Sequence, residues 1–319
     1  MGNFDLITKT LTETAEKYKA KMQGLSIKRK AKESPEDEIV VTVENFSKYT
    51  RTYGLGRIEP WLHEENMDVG GGVISIADID KIRDFPNAKN VAISGLHQDT
   101  FEYFIRTYGK QFKSIFFFKN KLVQDWSLLG TLPDLEFIHW FFNQRIDKFW
   151  DMSQNTALQG ISIEDFSRLK TISGIEKAPN LKYFYIGDAV WSTTEIETLS
   201  PFRNTEVEHL VFSGKTVVDK DFSFVKDMKS LRVLDLSTNL LTVEQYAWIE
   251  ANCPSLEEGP VGPVQIQEHG DEKIVYPYGR GKRSFNLQGN ENRLKKVEAA
   301  FWNLVDKMKD APYPISNEL

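Results

Sequence analysis

The sequence of 319 residues holds a single cysteine. That excludes a disulfide framework and a cysteine-based zinc site. No apolar run reaches the ~18 residues of a membrane span. The start, MGNFDLITKTLTETAEKYK, has acids where a signal peptide carries its basic end, and no apolar stretch behind them. Gly2 follows Met1, but Leu6 breaks the myristoylation pattern. A cytoplasmic protein is therefore expected. Positive charge is in deficit, 40 Lys+Arg against 46 Asp+Glu for a net −6, which argues against a general nucleic-acid binder. The five histidines, His63, His97, His139, His209 and His269, show no metal-ligand spacing. What the chain has in excess is aromatic: 21 Phe, 11 Tyr and 7 Trp.

Three regions are expected. The first, 1–75, opens with a helix whose Phe4, Ile7, Leu11, Ala15, Tyr18 and Met22 share one face. A charged linker follows over 26–38, then a short strand at Ile39–Val43 and a turn at Gly70–Gly72. The last region, 261–319, reads as strands at Val264–Glu268, Lys273–Tyr278 and Ser284–Leu287, then a helix from Glu291 to Lys309. Between them, over 76–260, one pattern recurs: apolar, two variable, apolar, one variable, apolar. Its copies are Ala88/Val91/Ile93, Phe112/Ile115/Phe117, Leu135/Ile138/Trp140 and Leu158/Ile161/Ile163, continuing with Leu181/Phe184/Ile186, Val207/Leu210/Phe212 and Leu231/Leu234/Leu236. Leu256 starts a truncated eighth. The steps between first anchors run from 23 to 26 residues, a period that chance alternation would not hold.

The copy Leu231, Leu234, Leu236, Asn239 fits the pattern LxxLxLxxN, and Asn120 and Asn143 close two others. The array thus resembles the leucine-rich repeat family in a divergent form with short repeats. The resemblance implies an α/β solenoid: a curved parallel sheet, a convex side of irregular and 3-10 turns, and a cap at each end. It also implies Asn side chains that bond backbone between neighbouring turns, although Leu96, Phe166, Ala189 and Lys215 hold that place in other copies. Val243–Glu250 and Asp99–Tyr108 carry helical spacing. No single copy can bury its own apolar side, so the copies must stack.

In such a strand side chains alternate between core and concave face. With the anchors inward, the outward set includes Phe116, Phe118, Phe137, His139, Phe141, Tyr183, Tyr185 and His209. Burying one Phe is worth about 1.5–3 kcal/mol, and adjacent exposed aromatics usually mark a contact surface. The expectation is a concave face that binds a protein or peptide partner, with Phe116→Ser plus Phe141→Ser leaving the fold intact. The competing expectations are that an N-terminal segment folds over the patch, or that the register is shifted in SIFFF and FIHWFF.

Other features carry less. Gly214-Lys215-Thr216 resembles the end of a phosphate-binding loop, but His209 stands where that loop needs its first glycine. Gly279-Arg280-Gly281-Lys282-Arg283 could clasp a phosphate, or be a solvated hairpin turn. Cys253 has no base beside it and reads as a small buried side chain. Asn45-Phe46-Ser47 matches a glycosylation acceptor by chance. The expected function is a non-enzymatic scaffold with no cofactor, by analogy a bacterial regulatory or toxin-neutralising partner or a phosphatase-regulator-like module. The alternative is an enzymatic or nucleotide-binding part in 1–75 or 261–319, where no catalytic constellation is evident.

Overall fold

The computed structural model describes residues 39–50, 57–63, 72–188 and 193–315. All but Ile39 belong to one unit, Val40–Leu319. The helix expected between Phe4 and Met22, the linker over 26–38, and Gly70 and Gly71 of the expected turn lie outside the described residues.

The repeat builds an eight-stranded parallel sheet. Its strands are β1 (Trp61–Leu62), β2 (Asn90–Ser94), β3 (Ser114–Phe118), β4 (Phe137–Asn143), β5 (Gly160–Phe166), β6 (Tyr183–Gly187), β8 (His209–Ser213) and β10 (Val233–Leu236), in that order. Two short strands, β7 (Glu195–Ile196) and β9 (Thr216–Val217), pair separately in the returns. β1 precedes the first repeat copy and pairs Trp61 with Ala92. The anchors are aligned copy to copy: Val91, Ile115, Ile138, Ile161, Phe184, Leu210 and Leu234 form one continuous row. This is the solenoid that the resemblance to leucine-rich repeats implies.

The returns are mostly single 3-10 turns, including Ser127–Thr131, Ser200–Asn204 and Ser223–Asp227. From β2 to β10, 16 to 21 residues connect one strand of the sheet to the next, and a 3-10 turn crosses the convex side in less chain than an α-helix. Among the described residues four α-helices accompany this scheme: α1 (Phe46–Thr50), α2 (Ile76–Ile79), α3 (Gln98–Tyr108) and α4 (Val243–Asn252). A fifth, α5 (Glu291–Met308), closes the C-terminal end. The expected helical spacing at Asp99–Tyr108 and Val243–Glu250 is thus realised in α3 and α4.

Aromatic anchors fill the space between sheet and returns. Trp140 stacks on Phe117 with ring centroids 4.2 Å apart, and Trp126 meets Trp140 edge-on at 5.7 Å. Each strand must then turn sharply into its return. Gly95, Lys119, Phe142 and Asp165 hold the same place in four successive copies, and all have positive φ, from 55° to 77°. Only the first is glycine, so three copies accept a conformation that costs an L-residue of order 1 kcal/mol or more. Side chains from the next position supply compensation. Asn120 donates to Ile93 O (3.0 Å) and accepts from Leu96 N (2.7 Å). Asn143 donates to Asn120 O and Val123 O and accepts from the backbone of Arg145 and Ile146. The implied Asn ladder therefore exists at these two copies. A second buried amide, Asn155, ties the convex side by donating to Leu129 O and Leu132 O; the repeat pattern gives no sign of it.

The C-terminal region forms as expected. β11 (Val264–His269), β12 (Glu272–Pro277) and β13 (Phe285–Asn286) make an antiparallel sheet, and α5 packs on α4. Trp248 donates to Ala311 O and Tyr313 to Lys220 O, fixing Ala311 and Tyr313 on the array. Cys253 is buried, and that burial pushes its thiol up to about 12.

One local expectation fails. Ile39–Val43 is not a strand. Asn45 accepts from Thr42 N and donates to Val40 O, folding the segment into a turn that starts α1. A side chain that bonds nearby backbone competes with ladder formation, and the alternation of Ile39–Val43 does not register that.

Candidate partner-binding surface

The register of the concave face is as expected, and its exposure is not. Three rows of outward side chains cross the sheet. One runs Asn90, Ser114, Phe137, Gly160, Tyr183, His209, Val233; the next runs Ala92, Phe116, His139, Ser162, Tyr185, Val211, Asp235. The third contains Phe118 and Phe141. Phe116, Phe118, Phe137, His139, Phe141 and Tyr183 are all buried, none more than 7% exposed. The expectation that these six face solvent is corrected. Tyr185 and His209 alone of the eight are half-exposed.

Phe46 is the reason for much of this burial. Helix α1 lays its ring over the middle of the face, 5.0 Å from Phe137, 5.4 Å from Tyr183 and 6.2 Å from Phe116 between centroids. The Tyr183 contact is edge-on, the arrangement that aromatic quadrupoles favour. Gly160 makes the space. A Cβ there would stand 2.6 Å from Phe137 Cδ1 and 2.9 Å from Phe46 Cδ1. The gap in the row at Gly160 is the slot into which Phe46 descends. At the N-terminal edge Trp61 meets Phe118 edge-on at 6.1 Å, and Phe118 stacks on Phe141 at 5.2 Å.

His139 lies inside this sealed part. Its Nδ1 is 3.1 Å from the Ser162 hydroxyl, while its buried Nε2 has no hydrogen-bond partner. Burial holds its pKa down to about 3, so the ring is neutral near pH 7. An unfolded histidine titrates near 6.5, so between those values the unfolded chain binds the extra proton and stability falls as pH falls. From pH 7 to pH 5 the loss should reach about 2 kcal/mol. Urea titrations of His139→Gln should lack that share of the pH dependence; an unchanged dependence would place the acid sensitivity elsewhere.

Beyond Tyr183 the face opens. Tyr185, His209, Val211 and Val233 are half-exposed, and Ser213, Asp235 and Ser237 are exposed. The Glu44 carboxyl is held below the ordinary carboxylate range, first by the Thr42 hydroxyl. Phe46 meets Tyr183, whose ring centroid is 6.1 Å from that of His209, so segment 40–50 reaches from the sealed half to the border of the open one. Sequence reasoning missed both Phe46 and the role of Gly160. The signal was a glycine inside an otherwise bulky outward row, which asks what fills the gap.

No family model and no curated protein matches the chain. Among solved structures it is similar to an internalin (InlF) from Listeria monocytogenes, with 14% sequence identity and a TM-score of 0.45. The likeness covers 61% of this chain and 53% of that one, so it spans about half of the internalin's length. On its own strands, turns and register, this chain has the solenoid fold that the resemblance to leucine-rich repeats implies.

Proposed function

We propose that the chain is a cytoplasmic, non-enzymatic scaffold that binds a protein or peptide partner on the open half of its concave face. The observation that supports this is the division of one continuous sheet surface. Its most aromatic half is sealed by the chain's own Phe46. The other half leaves Tyr185, His209, Val211 and Val233 in contact with water. Aromatic and apolar side chains on a rigid sheet are the usual anchors of an interface core, with polar neighbours such as Asp235 and Ser237 at the rim.

The test is a paired comparison. Tyr185→Ala with His209→Ala should keep the melting temperature within a few degrees of the parent. It should lose the proteins that the parent retains from a lysate of the source cell, compared by quantitative mass spectrometry. If the double variant retains the same proteins in the same amounts, the open half is not the binding surface.

A further inference from the structure

A second candidate site lies at the far end of the molecule, on the C-terminal cap. Between the turn after β12 and helix α5 is a cleft of about 290 Å³. Its floor is apolar: Tyr278, Val297, Ala300, Phe301 and Leu304. Its rim carries four cations, Lys282 and Arg283 on the turn and Arg293 and Lys296 on α5, and no carboxylate lines it. Among the described residues none of the four makes an ion pair.

The cleft is held in shape rather than draped. Gly279, at φ 128°, donates its N–H to Thr238 O, and Arg280 donates its guanidinium to Leu240 O, so the turn is anchored on the last repeat. The Tyr278 hydroxyl donates to Gly259 O. Arg293 lies 4.1 Å over the Phe285 ring and donates to Arg283 O, which joins the two walls and aims a guanidinium at the rim. Net charge for the chain is −6, so four unpaired cations around one apolar cleft run against the overall balance.

From this arrangement we infer that the cap binds an acidic peptide segment that presents an apolar side chain between carboxylates. The cations stand on two opposite walls, so the ligand needs negative groups on both sides of an apolar centre. Along α5, the floor from Val297 to Leu304 is about 10 Å long at 1.5 Å per residue, the span of about three extended residues. The volume accommodates one large side chain, with carboxylates paired to Arg in the two-bonded geometry that guanidinium favours. A nucleic-acid backbone would use the cations and leave the apolar floor without a partner. The site is separate from the concave face, and its test is independent of the function proposed above.

The probe is a fluorescein-labelled peptide, Glu-Glu-Phe-Glu-Glu, titrated with the full chain and read by fluorescence anisotropy. Saturable binding is expected, weakened at least tenfold by Arg283→Glu with Lys296→Glu, and at least tenfold when the peptide's Phe is replaced by Gly. Ala300→Trp, which fills the cleft without altering charge, should weaken it equally and keeps the test valid if the charge-reversed protein does not fold. Tyr185→Ala with His209→Ala should leave it unchanged. The proposal is overturned by absence of saturable binding at low salt, or by indifference to Ala300→Trp. It is also overturned if single-stranded oligothymidylate binds as tightly as the peptide.

Discussion

Phe46→Ala is expected to lower the unfolding free energy by about 3–5 kcal/mol, the range for deleting a fully buried phenylalanine. The ring has no solvent exposure and touches three aromatic side chains from three different strands. Removing it leaves Phe116, Phe137 and Tyr183 facing a void that the short α1 cannot collapse to fill. The loss should appear as an earlier urea midpoint together with new binding of a hydrophobic dye. Gly160→Ala attacks the same contact from beneath, because its methyl would displace Phe137 and Phe46 by several tenths of an ångström. It should reproduce part of the loss. A Phe46→Ala protein less than about 1 kcal/mol weaker than the parent would mean that the ring does not seal the sheet.

Phe116→Ser with Phe141→Ser is expected to unfold the protein at ordinary temperature. Read from the sequence, both rings are surface groups that a fold can lose. In the structure Phe116 sits under Phe46 and beside His139, and Phe141 stacks on Phe118. These are separate contacts, so the two losses should come close to adding. Each costs about 3–5 kcal/mol, and each new hydroxyl must be buried or must open the face to water. The sum rivals the whole 5–15 kcal/mol stability of a typical domain. Circular dichroism of the double variant would settle the point: a native spectrum and melting temperature would show that neither ring is in fact core.

The repeat array was legible because periodicity constrains it twice. An anchor at Leu181 predicts Phe184 and Ile186 within the copy and Val207 in the next, and a one-residue slip would turn every apolar group to the wrong face. That is why strand pairing and the inward row follow from spacing alone. The state of the outward row does not, since period two says which side a residue faces and nothing of what lies over it. Phe116 and Tyr185 occupy the same row, yet one is sealed and the other half-exposed. The difference comes from Phe46, which is 70 residues from Phe116 in the chain. Asn45 was legible only as a chance acceptor for sugar; its structural part is to bend residues 40–45 so that the next side chain meets the sheet. The four left-handed positions were likewise hidden, because Lys119, Phe142 and Asp165 share a conformation and no chemistry.

The last strand of the array ends in a way that bears on self-association. A parallel sheet of this kind has an open border, and an open border invites a second chain to add its own strand. Here Leu234 N is taken by Glu258 O, through a single bridge between Val233 and Glu258. The chain then leaves at Gly259, φ 123°, where even a methyl group would stand 2.0 Å from Leu234 O. Too short to serve as a template and pressed too close to admit an intruding backbone, this half-copy stops the staircase. A second chain adding its strand at this border would first have to displace Glu258 and Gly259.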